Sequence, residues 1–347
     1  MQQTAIVGAG IAGSLLAFQL LRNGFQVDIY QPETEHATCS EVAAGMLAPT
    51  SELEHGSEQV FKLGLRSLEL WPSIISELKQ QSGVPLYIDQ AGTLVLSHAQ
   101  DEASLKQFYN SLYYSLGNQV QDYCQSVSVR EKEADIVSFQ KGYWLPHEAH
   151  INAPLTLNAL HQYIKTQATW YNKQAENLLP HNVDGQHYDW VFDCRGLHAK
   201  YDIAQMHGVR GERILLHAPD VTLTHMVRLM HPRYRLYIVP RPDKHFVIGA
   251  TEIESDDGSP MSVRSALELL TAAYSVHKGF SEARILDLAT QVRPATWDHE
   301  PYIDSQSGLT RINGLYRHGY LLAPALIEEA MKQAQLSNDF IKQEAFL

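Results

Sequence analysis

Cysteine is scarce in this chain: three in 347 residues, Cys39, Cys124 and Cys194. The number is odd and the spacings are wide, so no disulfide framework is expected and a reducing cytoplasm fits. No C-x-x-C occurs, and the 17 histidines, His55, His147, His150 and His161 among them, are scattered. No metal is expected from that pattern. No run approaches the ~20 apolar residues of a membrane span. The N-terminus has no basic region ahead of its apolar stretch, so no signal peptide is expected. Positive charge is short as well, with 27 Lys and Arg against 39 Asp and Glu, a net charge of −12. That disfavours nucleic acid as a partner. A soluble, cytoplasmic protein is expected, long enough for two domains or one large one.

What is present is concentrated at the start. Ala5-Ile6-Val7 reads as a short strand, followed by Gly8-Ala9-Gly10-Ile11-Ala12-Gly13. A helical stretch runs from Ser14 to Asn23, and a second strand spans Val27 to Tyr30. This is the G-x-G-x-x-G fingerprint in its strand–turn–helix–strand context. Gly8 serves the tight turn, Gly10 the approach of a pyrophosphate, and Gly13 the close packing of helix on strand. The helix N-terminus offers N–H groups and partial positive charge to phosphates. The second strand normally ends in Asp or Glu, which binds a ribose hydroxyl. Gln31 stands there, followed by Pro32 and Glu33. Either Gln31 or Glu33 is open as the ribose partner. No Lys or Arg is near to hold a 2′-phosphate.

The rest alternates in type. Thr38 to Pro49 is a run of small residues that lets backbone approach a flat ligand. Helices are predicted over 57–82, 103–116, 152–165 and 262–274. Strands are predicted at 85–88, 92–96, 190–196, 214–216, 221–223, 236–240 and 246–251, with a final strand–turn–helix from Leu315 to Gln335. The 190–196 strand is expected beside the first one. The fold class expected is α/β, α+β overall: a Rossmann-like dinucleotide domain with an inserted, mostly antiparallel sheet. The division expected is 1–84, 141–212 and 286–347 for the cofactor domain, with 85–140 and 213–285 for the substrate domain.

Four blocks carry a resemblance that spans nearly the whole chain. They are Gly8-x-Gly10-x-x-Gly13; Ala43-Ala44-Gly45-Met46-Leu47-Ala48-Pro49; Tyr237-Ile238-Val239-Pro240-Arg241 with Gly249-Ala250-Thr251-Glu252; and Arg293-Pro294-Ala295-Thr296 with Tyr316-Arg317-His318-Gly319-Tyr320-Leu321-Leu322-Ala323-Pro324. With these the chain resembles the glycine oxidase branch of the D-amino-acid-oxidase-type flavoproteins, which includes the thiamine-pathway glycine oxidases.

The resemblance implies non-covalent FAD. Ile11 and Ala12 would lie on the pyrophosphate, and Gln31 and Pro32 at the ribose. Cys39, Ser40, Ala44, Gly45 and Met46 would line the route to the isoalloxazine. Leu315, Tyr316, Arg317, His318, Gly319, Tyr320 and Leu321 would close over its pyrimidine end. Arg293 and Arg317 match the carboxylate-binding positions, as a planar fork suits a carboxylate. Tyr237 would touch the same carboxylate or gate the cavity, and Met46 would form part of the wall near the substrate side chain. Arg235 is open between cavity and surface. No side chain is implied as acid or base: the Cα hydrogen leaves as hydride to the flavin. The implied reaction turns a small amino acid into a 2-oxo acid and ammonia, with O2 reduced to hydrogen peroxide. A non-oxygen acceptor, a secondary amine as substrate, and a flavin-binding protein without turnover stay open, as does a homo-oligomer. The Asp193/Arg195 pair departs from the small residues usual at that strand end.

Overall fold

Strand and helix alternate from the first residues because apolar β-branched runs are separated by glycine turns and amphipathic stretches. In the computed structural model, residues 2–33, 38–204, 206–231 and 235–336 are described, Arg235 for its backbone only. The first unit is β1 (Gln3–Val7), α1 (Ile11–Arg22) and β2 (Gln26–Tyr30). α2 (Glu58–Ser82), β3 (Thr93–Ser97), α3 (Glu102–Leu116), β4 (Gln125–Ser128) and β5 (Lys141–Leu145) follow. Then come α4 (Ala153–Gln167), β6 (Thr169–Tyr171), β7 (Trp190–Asp193) and the 12-residue β8 (Met206–His217). β9 (Met226–Met230), β10 (Arg235–Arg241), β11 (His245–Gly249), β12 (Ile253–Glu254) and α5 (Val263–Val276) continue the chain. It closes with β13 (Arg284–Thr296), β14 (Tyr302–Gln306), β15 (Leu309–Asn313) and α6 (Gly319–Gln333).

Two large sheets result. The first has the order β14-β15-β7-β1-β2-β6. It is parallel except for the β14–β15 pair. β7 lies beside β1, as expected. The second runs β12-β8-β11-β10-β9-β3-β5-β4, with β13 paired along β8. It is antiparallel apart from β9 on β3. The mixed fold and its inserted antiparallel sheet thus match the reading of the sequence. The second sheet also takes in 141–145, 206–212 and 286–296, segments that the sequence division grouped with the cofactor domain.

Helix limits follow local chemistry. Ser57 accepts the Val60 N–H at 3.1 Å to cap α2, and Gly83 ends it at φ +68°, a conformation glycine adopts without cost. The core of the first layer packs α1, α2, α4 and α6 around Leu15, Phe18, Trp71, Leu160 and Leu326. A second core joins the large sheet to α5 through Leu236, Ile238, Ile248, Leu269 and Ala273. Among the described residues no helix is long and apolar enough to cross a membrane.

Two expectations need correction, and one long strand was not predicted. Val221 to Leu223 is not a strand; the strand starts at Met226, after a loop stitched to Glu133 by the N–H groups of Thr224 and His225. The last strand ends at Asn313, ahead of Leu315, because Gly314 turns the chain at φ +65°. β13 carries no clear alternation because Ile285, Leu286 and Leu288 are all half exposed along it. Its pairing with all 12 residues of β8 was therefore invisible in sequence.

Candidate active site

One cavity of about 620 Å³ runs from the β1–α1 turn to the face of the second sheet. At the first end, Gly8 sits at φ +99° and donates its N–H to Tyr30 O at 2.9 Å. A Cβ at Gly13 would stand 1.9 Å from Gly8 O, so only glycine lets α1 pack this close. α1 has no acidic residue in its first turn and no side-chain cap from Gly10. Its N-terminus therefore keeps its positive end for an anion. Ser40 Oγ accepts the Ile11 N–H at 2.9 Å, bringing the small-residue segment onto that turn. Gln31 turns its amide inward: Oε1 accepts the Ala9 N–H at 2.7 Å and Nε2 donates to Pro32 O at 3.2 Å. Glu33 lies outside the cavity lining and accepts from Asn172 at 2.9 Å.

At the other end two glycines make room for two large side chains. A Cβ on Gly211 would fall 2.1 Å from Arg293 Nη2, and one on Gly249 would fall 2.5 Å from the Tyr237 hydroxyl. Gly211 is on β8 and Gly249 on β11, so both side chains lie flat across the sheet. Tyr237 faces Gly249 across the β10–β11 pair. Arg293 Nη1 donates to Thr251 O at 3.3 Å. Its neighbours on β13 hold Cys39, whose thiol donates to Val292 O at 2.9 Å. Burial pushes that thiol up to about 11, which leaves it protonated and unreactive.

Charge is distributed unequally in this wall. Arg317 Nε and Nη2 both donate to Glu52 Oε2 at 2.8 Å, and Nη1 reaches Glu252 Oε2 at 2.9 Å. Burial pushes the Glu52 carboxyl up, yet Arg317, His318 and Arg228 together bring it down to about 2. His318 is buried, and burial lowers it to about 4, so it is neutral near pH 7. Arg195, Arg213 and Arg228 also line the cavity, and each is paired: with Asp193 at 2.7 Å, Asp287 at 2.8 Å and Glu54 at 2.9 Å. Among the described residues, Arg293 is the one arginine of the lining with no carboxylate partner within 4.0 Å.

The residues that the resemblance assigns to cofactor and substrate line this cavity, together with Gly8 and Gly10, whereas Gly13 packs behind the turn and Glu33 lies outside. The list is Gly8, Gly10, Ile11, Ala12, Gln31, Pro32, Cys39, Ser40, Ala44, Gly45, Met46, Tyr237, Arg293 and the run from Leu315 to Leu321. Tyr320 is committed to structure: its hydroxyl donates to Ser40 O and Ala153 O at 2.9 and 3.0 Å, and its carbonyl accepts the Trp71 indole N–H at 2.9 Å. The Asp193/Arg195 pair is a two-bond bridge at 2.8 and 2.7 Å that seals the end of β7 over a fully buried carboxylate. The side chain of Arg235 lies outside the described residues. Sequence reasoning missed Glu52, Glu252, Arg213 and Arg228. Glu52 follows the small-residue block by three positions, and Glu252 closes the Gly-Ala-Thr-Glu block. Nothing in the sequence says that both close on Arg317.

A parallel dinucleotide sheet, a glycine cradle and a cavity continuous with an arginine-bearing antiparallel sheet define a flavin-type oxidoreductase. The chain belongs to the DAO family of FAD-dependent oxidoreductases, which matches residues 3–331. It is 35% identical over 331 residues to a Rhizobium etli protein named as a thiamine biosynthesis oxidoreductase, ThiO, covering 94% of each chain. It is 24% identical over 343 residues to the glycine oxidase of Geobacillus kaustophilus, covering 92% of this chain and 89% of that one. The crystal structure of a Geobacillus kaustophilus glycine oxidase superposes with a TM-score of 0.84 at 24% identity, covering 99% and 98% of the two chains. The iminodiacetate oxidase of Chelativorans sp. BNC1 superposes with a TM-score of 0.82 at 21% identity, covering 96% and 95%. The protein is an enzyme of this FAD-dependent class. The cradle fits that cofactor: small residues line it, and the N-terminus of α1, with no acidic residue in its first turn, faces it.

Proposed function

We propose that the enzyme oxidatively deaminates a small amino acid, glycine or a close analogue, with O2 as electron acceptor. The products are a 2-oxo acid, ammonia and hydrogen peroxide. FAD, held non-covalently, supplies the acceptor for the hydride that leaves the substrate Cα. The chain itself binds, orients and shields. The observation that carries this reading is that Arg293, among the described arginines of the cavity lining, is the one without a carboxylate partner. A planar guanidinium lying over a glycine takes both oxygens of a substrate carboxylate. Tyr237 donates its hydroxyl to the same group; burial raises that phenol, so it remains a donor at neutral pH. Met46 bounds the space left for the substrate side chain.

Arg317 has a different task from the one the resemblance implies. It gathers Glu52 and Glu252 on one guanidinium. Both carboxylates line the cavity beside a neutral His318. A monocarboxylic substrate fits; a second carboxylate would meet repulsion. The names of the relatives, glycine oxidase and ThiO, agree with a small amino acid.

The test is anaerobic addition of glycine to the purified flavoprotein. Bleaching of the flavin bands, followed by peroxide and reoxidation in air, is expected. Bands that persist with glycine and other small amino acids would overturn the substrate class. Bleaching without peroxide in air would overturn the choice of acceptor.

A further inference from the structure

Outside the cavity, three side chains from separate segments converge. His207 lies on β8, Glu254 on the short β12 beside it, and His299 in the turn that follows β13. One ligand atom of each lies within 4.8 Å of the other two. His207 Nε2 is already 3.2 Å from Glu254 Oε2. None of the three lines the cavity.

We propose that His207, Glu254 and His299 bind a divalent first-row transition-metal ion. Two imidazoles and one carboxylate form a donor set such ions take, with open positions for water. The rings are held in advance. Trp297 stacks on His207 at 4.4 Å between centroids and 18° between planes. His299 is fixed by its left-handed backbone at φ +60°, by its N–H to Thr296 O at 3.0 Å, and by stacking on Tyr316 at 4.5 Å. Glu254 is largely exposed and free to swing onto an ion held by the two rings. Metal binding would tie the 297–299 turn to β8 and β12. Through His299 it would also fix Tyr316, whose ring lies 6.0 Å from the Arg293 guanidinium and 5.3 Å from that of Arg317.

The experiment is equilibrium dialysis of the FAD-loaded protein against Zn²⁺, with bound metal counted per chain. One tightly held ion is expected. His207→Ala and His299→Asn should each weaken it about tenfold or more. His187→Ala, on the separate 182–187 hairpin, should leave it unchanged. The flavin spectrum of each variant reports that it is folded. Absence of bound Zn²⁺ in the wild type, or binding that survives both His207→Ala and His299→Asn, would overturn the proposal. The readout needs no turnover, so it stands or falls separately from the proposed reaction.

Discussion

Arg317 and Glu52 meet through two N–H groups on one carboxylate oxygen, both at 2.8 Å. Losing such a charged contact costs about 2 kcal/mol. Glu52→Gln should therefore lower stability by roughly that amount at pH 7. The native carboxyl titrates at about 2, below its unfolded value near 4.3. Its contribution is complete above the unfolded value and is lost as pH falls toward 2. Denaturant melts of both proteins at pH 7 and at pH 3 should show the gap narrowing in acid. A constant gap would rule out the ion pair as its source.

Arg293→Ala should cost about 2–5 kcal/mol of substrate and transition-state binding, read as kcat/KM for glycine. The flavin should stay bound, because Arg293 is at the sheet end of the cavity. Arg317→Ala should act differently, removing the guanidinium that Glu52 and Glu252 share. A wild-type kcat/KM in Arg293→Ala would remove the carboxylate anchor.

Gly211→Ala tests the same anchor without touching it. The new methyl group would meet the end of the Arg293 side chain, which is flexible and yields before the backbone does. We expect a raised KM for glycine with an unaltered flavin spectrum and melting temperature. Loss of the folded protein would instead assign Gly211 to packing alone.

The two carboxylates gathered on Arg317 predict a charge preference. Glu252→Gln should raise kcat/KM for aspartate relative to glycine by about tenfold, since a like charge facing the second carboxylate is removed. An unchanged ratio, measured by peroxide release, would refute electrostatic exclusion.

Glu148 is buried 1% exposed behind this wall, where it accepts the Ser51 N–H and hydroxyl at 2.6 and 3.1 Å. Burial pushes its carboxyl up to about 7. The native state thus holds a proton that the unfolded chain releases near 4.3. Its stabilising effect is full below that value and is lost as pH rises toward 7. Glu148→Gln should therefore gain stability relative to wild type between about pH 4.3 and 7. Thermal melts across that range decide it; parallel curves would place the Glu148 titration elsewhere.

By itself the sequence determined the βαβ start, the helices at 57–82 and 152–165, and the glycines that make the cradle. These are local matters: hydrophobic period, caps and turns act within a few residues of one another. It also marked Arg293, Arg317 and Tyr237, because they stand inside distinctive blocks. Only the tertiary structure decided what those arginines face. Arg317 meets Glu52 and Glu252 from positions 265 and 65 residues away, whereas Arg293 meets a glycine and a carbonyl. Ion pairing depends on distances of a few ångströms in space, and sheet register across β8, β11 and β13 sets those distances. The same register brings His207, Glu254 and His299 together, which no spacing along the chain records.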